Sequence, residues 1–154
     1  MMNSKFYLSD MSYFRLSLLS FLRESHPQLL NDEKFISVRV NAALSAYEEA
    51  VQSGNNPPEA THTANEALFA GLHFSRYDTL KNILWSEFSA EVSQTAAPIW
   101  AIRLLPECEA IFAKYPLSDD FAYSSGYELL YTELTGTIAL LFETRDWLTP
   151  NRNS

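Results

Sequence analysis

Between Ala64 and Phe88 the chain reads ANEALFAGLHFSRYDTLKNILWSEF, and no other stretch limits the fold as much. Apolar residues recur at spacings of three and four on both sides of a break, which is the pattern of two amphipathic helices rather than of strands. The first half ends on Gly71, a residue able to take the left-handed backbone that stops a helix. Leu72, His73 and Phe74 form the bend. Ser75 opens the second half with Asp78 three residues on, a near relative of the Ser-x-x-Glu capping box. Gly71, His73, Ser75 and Asp78 thus make a structural hinge, with His73 expected as a buried or half-buried tie between the two helices. The chemical alternative for His73 is an acid or base beside Asp78 or Tyr77. Asp78, however, is already engaged as part of the cap.

The same spacing runs through most of the chain. Residues 9 to 24 place Met11, Phe14, Leu18, Phe21 and Leu22 on one stripe, and Pro27 ends that helix by forcing His26 out of the helical region. A second helix, capped by Asn31 or Asp32, carries Ile36, Val40, Ala43, Tyr47 and Val51 and closes at Gly54. After the turn Asn55-Asn56-Pro57-Pro58, the small residues Ala60 and Ala64 with Leu68 and Leu72 predict a third helix in close approach to a neighbour. The fourth helix, Arg76 to about Val92, presents Leu80, Leu84 and Phe88, flanked by Tyr77 and Ile83. Pro98 suits a helix start, whereas Pro106 predicts a kink or break, because proline removes a hydrogen bond and clashes with the carbonyl four residues back. The segment Tyr115 to Gly126 has turn chemistry yet carries Leu117, Phe121 and Tyr123, as a loop packed onto a core would. The last helix, Tyr127 to Leu148, keeps its stripe through Leu130, Leu134, Ile138 and Leu141. Residues 129–142 also admit two strands around Thr135-Gly136, but the alternation of period two that strands require is missing. The expected fold is all-α: one domain over residues 1–154, about six helices with short loops, and loose tails before about residue 6 and after about residue 148.

Composition limits the partners. A chain of 154 residues with 47% apolar and 14% aromatic side chains can bury a core of its own. Its net charge is −8, unevenly spread: residues 1–77 hold 6 basic and 8 acidic side chains, residues 78–154 hold 5 and 11. Such a surface repels phosphate backbones and anionic bilayers, so neither direct nucleic-acid binding nor membrane binding is expected. The single cysteine, Cys108, excludes an internal disulfide and suits a reducing cytoplasm. No signal peptide is visible, since FYLSDMSYFRLSLLSFL is broken by Asp10 and Arg15, and the apolar run Ile138 to Phe142 falls far short of the roughly 20 residues of a membrane span.

One set of segments resembles a known family. These are Glu24-Ser25-His26-Pro27, Ala46-Tyr47-Glu48, GLHFSRYDTL at 71–80, Phe112-Ala113-Lys114-Tyr115, Ser118-Asp119-Asp120-Phe121-Ala122 and Leu130-Tyr131-Thr132-Glu133-Leu134-Thr135-Gly136. Together they resemble domain of unknown function 1896, from Phe6 to Glu143. The resemblance implies a small, all-helical cytoplasmic protein of Bacteroidetes-type bacteria, often carried near conjugative-transposon or other mobile-element genes, and it implies no catalytic residue.

Residue chemistry offers few sites. His62 and Glu66 stand at i and i+4, a spacing able to put an imidazole and a carboxylate on one metal, with Glu59 on the same flank; a solvated helix face explains the spacing equally well. Cys108 lies between Glu107 and Glu109, which oppose thiolate formation. No cofactor is expected. Asp119-Asp120 lacks the alternation of a calcium loop. The sharper candidate is an interaction patch of Glu107, Glu109, Asp119, Asp120, Phe121, Tyr123, Tyr127 and Glu128, with Glu133 near it, where aromatic anchors sit inside an acidic rim. The expected function is a non-enzymatic interaction or accessory protein with a protein partner, self-association as a homodimer being open. The alternatives are an acidic DNA mimic or inhibitor of a nucleic-acid-binding protein, and a small enzyme using His73 or His62.

Overall fold

Starts and stops of helices are set by short-range chemistry, and here they fall where side chains can serve the unpaired backbone groups. The structure is a computed structural model that describes the backbone of residues 4–144 and the side chains from Asp10 onward. Helix α1 spans Ser4–Ser25 and is followed by a short 3-10 turn, Pro27–Leu29, in which Pro27 occupies the first position. Helix α2 (Glu33–Gln52) begins at Asp32, whose carboxylate accepts from the Phe35 N–H at 3.1 Å. Helix α3 (Pro57–Leu68) has a reciprocal capping box: the Asn56 side chain accepts from Glu59 N, and the Glu59 carboxylate accepts from Asn56 N, both at 2.9 Å. Helix α4 (Arg76–Glu87) starts at Ser75, whose Oγ accepts from Asp78 N at 2.9 Å. Helices α5 (Ala97–Phe112) and α6 (Gly126–Thr144) complete the set, with a second 3-10 turn at Phe121–Tyr123 between them.

Six α-helices and no strand among the described residues make the fold all-α. Residues 129–142 lie within the single helix α6, so the strand alternative does not form. Three details differ from the pattern in the sequence. Helix α3 stops at Leu68, and Gly71, at φ +76°, turns the chain only after one further turn. Helix α4 ends at Glu87 rather than near Val92. Helix α5 runs through Pro106 without a break. Pro106 and Ile102 both lie on the exposed face of α5, where solvent can meet a carbonyl that proline leaves without a donor. The expected tails and the last turn toward Leu148 lie outside the described residues.

The chain divides into two compact units, Met1–His73 and Phe74–Ser154. The division falls inside the Gly71–Ser75 bend. In the first unit, Phe14, Leu18 and Leu22 of α1 join Ile36, Val40, Ala43, Leu44, Tyr47 and Ala50 of α2 and Ala60, Ala64, Leu68 and Leu72. The alanines let α2 and α3 approach closely, as the small residues predict. Val51 is the exception on its stripe, being 45% exposed, with Ala50 buried in its place. The exit of α3 is fastened by two side chains of the same unit. Arg39 Nη1 donates to the Leu68 carbonyl at 3.2 Å, and His26 Nε2 lies 2.7 Å from the Leu72 carbonyl. A carbonyl only accepts, so His26 carries its proton on Nε2. A buried imidazole does fasten this end of the unit, but it belongs to His26, while His73 itself is exposed rather than buried or half-buried.

The second unit is built on rings. Leu80, Ile83 and Leu84 of α4 pack with Ala101, Leu104, Cys108 and Phe112 of α5 and Leu130, Leu134 and Ile138 of α6. Around them run edge-to-face aromatic contacts: Phe88 and Trp100 on Phe142, and Phe74 and Tyr115 on Phe121.

Candidate functional site

The acidic, aromatic segment between α5 and α6 is ordered from within. Phe121 N donates to Ser118 O at 3.0 Å, Tyr123 N to Asp120 O at 3.0 Å and Ser124 N to Phe121 O at 2.9 Å, which winds residues 118–124 into a tight turn. Ser124 Oγ adds a bond to the Phe121 carbonyl at 2.7 Å, and Ser118 Oγ donates to Asp120 Oδ1 at 2.7 Å. Gly126 lets this turn sit close to α6, since a Cβ there would lie 3.1 Å from Phe121 Cε1.

The turn separates the expected anchors. Phe121 is 3% exposed, so it belongs to the core and is removed from the interaction patch. Tyr127 is half-buried, with its ring 6.4 Å from that of Phe121. Tyr123, by contrast, is 91% exposed. Its two neighbours in the turn are committed to packing and hydrogen bonding, and its own ring projects into water. Asp120, Phe121 and Tyr123 share one shallow hollow with Pro116, Ser118 and Ser124. Glu128 and Tyr127 line a second hollow with Tyr131 and Thr132. Asp119, Asp120 and Glu128 are exposed, as are Glu107 and Glu109 on the outer side of α5.

From Leu104 to Thr144 the sequence holds seven carboxylates and one basic residue, Lys114. That ammonium is already paired with Glu133, whose other oxygen accepts from Tyr115 Oη at 2.9 Å. The Lys114 bond, followed by that of Tyr115, holds the Glu133 carboxyl below the usual glutamate range. The same carboxylate raises the Lys114 ammonium and the Tyr115 phenol. Lys114 is thereby engaged within the segment.

The other candidate groups have structural roles. Burial, with Glu107 adding to it, pushes the Cys108 thiol up to about 12, so it stays protonated at neutral pH. His62 Nε2 lies 4.0 Å from Glu66 Oε2 on an exposed face, but Glu59 is held in the α3 capping box. Among the described residues no three His, Cys, Asp or Glu side chains converge to hold a metal ion. Of the hinge residues, Ser75 and Asp78 form the α4 cap and Gly71 makes the turn.

Two groups escaped the sequence reading. Tyr131 Oη donates to Glu87 Oε2 at 2.9 Å, joining α6 to the end of α4. The spacing of Tyr127 and Tyr131 is legible as one helix face, but nothing in the sequence connects Glu87 to it. Lys114, Tyr115 and Glu133 likewise meet only because α5 and α6 pack together.

Among the described residues no helix is long and apolar enough to cross a membrane. No curated protein matches the chain. The crystal structure of protein PG0816 from Porphyromonas gingivalis is similar to it, with 45% sequence identity, a TM-score of 0.86 and coverage of 92% of this chain and 96% of that one. The family described as Domain of unknown function (DUF1896) matches residues 8–147, nearly the whole helical chain, and the protein belongs to that family.

Proposed function

We propose that this protein is a non-enzymatic docking module whose C-terminal unit receives a basic protein partner. One observation carries the reading. Tyr123 stands 91% exposed on a hydrogen-bonded turn, flanked by the exposed carboxylates Asp119 and Asp120. A tyrosine has only two side-chain torsions to fix on binding, and like charges beside it select a partner of opposite sign. The unit's sequence supports the sign of that partner: it holds 6 basic and 11 acidic side chains, a net of −5.

In this reading the protein works in the cytoplasm as an accessory of a conjugative or other mobile element, the setting that its family resemblance implies. Affinity capture from the native host tests it, with wild type, Tyr123→Ala and the double variant Asp119→Lys/Asp120→Lys as baits. The expected result is a basic protein retained by wild type and lost from both variants. Identical retained proteins on all three baits would overturn the reading.

A further inference from the structure

We propose that Tyr127, Glu128, Tyr131 and Thr132 of α6, with Glu87 from the end of α4, form a receptor site for a lysine or arginine side chain of a protein partner. This rests on the docking reading above and names the group that enters. The four α6 residues line an open hollow of about 520 Å³. Their positions are i, i+1, i+4 and i+5, one patch on the helix surface. The two phenol rings stand with centroids 6.3 Å apart and planes tilted by 50°.

Both rings are held before any ligand arrives. Tyr127 packs edge-on against Phe74 at 6.3 Å and Phe121 at 6.4 Å. Tyr131 is anchored at its hydroxyl by the 2.9 Å bond to Glu87. Burial and then that bond raise the Tyr131 phenol, so it remains the neutral donor at physiological pH. A phenol donating to a carboxylate gains electron density, which makes the ring face more attractive to a cation. Preorganised rings also lose little freedom on binding.

The fold shows what such parts accept. On α4, the Lys81 ammonium lies 4.8 Å from the Tyr77 ring centroid and 5.1 Å from that of Trp85, and 3.5 Å from Asp78. Two rings, one helical turn to either side of the lysine, and one carboxylate therefore hold an ammonium in this very unit. Helix α6 presents two rings at helical spacing and the exposed carboxylate Glu128, with Glu87 behind Tyr131. Its 19 residues include no lysine or arginine. The one basic side chain between Leu104 and Thr144 is bound to Glu133. Charge complementarity thus calls for a cation carried by another molecule. The exposed carboxylates of Glu128, in the hollow, and Glu87, behind Tyr131, repel an anion. The hollow is open, which suits a side chain arriving on a protein surface better than a small free amine that needs enclosure.

The test is fluorescence anisotropy of a labelled hexa-arginine peptide at moderate salt, against wild type and four variants. Tyr131→Leu removes the ring without changing charge and is expected to weaken binding about five- to tenfold. Tyr131→Phe keeps the ring but loses its hydroxyl anchor and is expected to lose about two- to threefold, less than Tyr131→Leu, while Glu128→Gln loses about threefold. Glu128 is exposed, so that variant reads the site even if Tyr131→Leu fails to fold. A folded Tyr131→Leu protein that binds like wild type overturns the site. If Asp119→Lys/Asp120→Lys still weakens the peptide in that case, the docking reading stands without it. A wild-type protein that does not bind the peptide overturns both.

Discussion

The two units reach the same helical architecture with different materials. The first packs mainly aliphatic and small residues around Phe14 and Tyr47, with Ala43, Ala50, Ala60 and Ala64 all buried, and fastens its own backbone through His26 and Arg39. The second packs rings, and its chain of aromatic contacts does not stop at the core. Phe74 and Phe121 are buried, Tyr127 and Tyr131 half-buried, and Tyr123 fully out. Small side chains bring helices together and do not themselves reach from core to surface. Aromatic side chains are long enough to be core at one end and surface at the other, and tyrosine puts a polar tip on the surface end. A unit built from rings can therefore offer a recognition surface as an extension of its core.

That contrast can be broken by deep truncations. Phe14→Ala and Phe112→Ala each remove a side chain at most 2% exposed and are expected to cost about 3–5 kcal/mol in their own unit. Amide hydrogen exchange checks it: Phe112→Ala should lower protection in α4–α6 before α1–α3, and uniform loss would mean that the two cores open together. Next in size is His26→Leu. It removes the donor to the buried Leu72 carbonyl and is expected to cost about 1–3 kcal/mol, read as a drop in urea midpoint.

Two glycines sharpen the comparison further. Gly71, at φ +76°, is strained by any side chain, so Gly71→Ala should destabilise by about 1 kcal/mol. Gly136 lies inside α6 with nothing within 4 Å of where a Cβ would sit, so Gly136→Ala should stabilise by about 0.5–1 kcal/mol. Thermal melts of the two variants should move in opposite directions. The smallest effect is that of acid. Because the Glu133 carboxyl is held below its ordinary value of 4.5, its contribution is complete above that pH and is lost as pH falls through the lowered value. The wild-type stability of the second unit should thus fall more steeply below pH 4.5 than that of Glu133→Gln, and added salt should shrink the difference because the pair is solvent-facing.

Most of the fold was legible because its signals are local. The stripes Phe14-Leu18-Leu22, Ile36-Val40-Ala43 and Leu130-Leu134-Ile138 are all buried as spaced, and caps at Asp32 and Ser75 form where their sequences place them. The errors arose where a local rule met a non-local fact. Pro106, on the exposed face of its helix, does not break it, and the buried imidazole at the corner is that of His26, 46 residues before Leu72, rather than the exposed His73. The division at His73 is marked by no linker and no change of period, since both units use the same helical spacing. Of the interaction patch, the acidic rim was readable from charge alone. Which ring would face outward was not: Phe121 and Tyr123 are two residues apart in one turn, and their opposite fates depend on Gly126 and on the rings of Phe74 and Tyr115.

Cys108, fully buried at the centre of the second unit with its thiol pushed to about 12, has a practical consequence. An alkylating reagent attacks the thiolate, so the folded protein should resist it, and modification should proceed only as fast as the helices around Cys108 come apart. The chain thereby carries a built-in clock for the opening of its ring-packed half, one that needs no introduced label and whose rate can be read by mass.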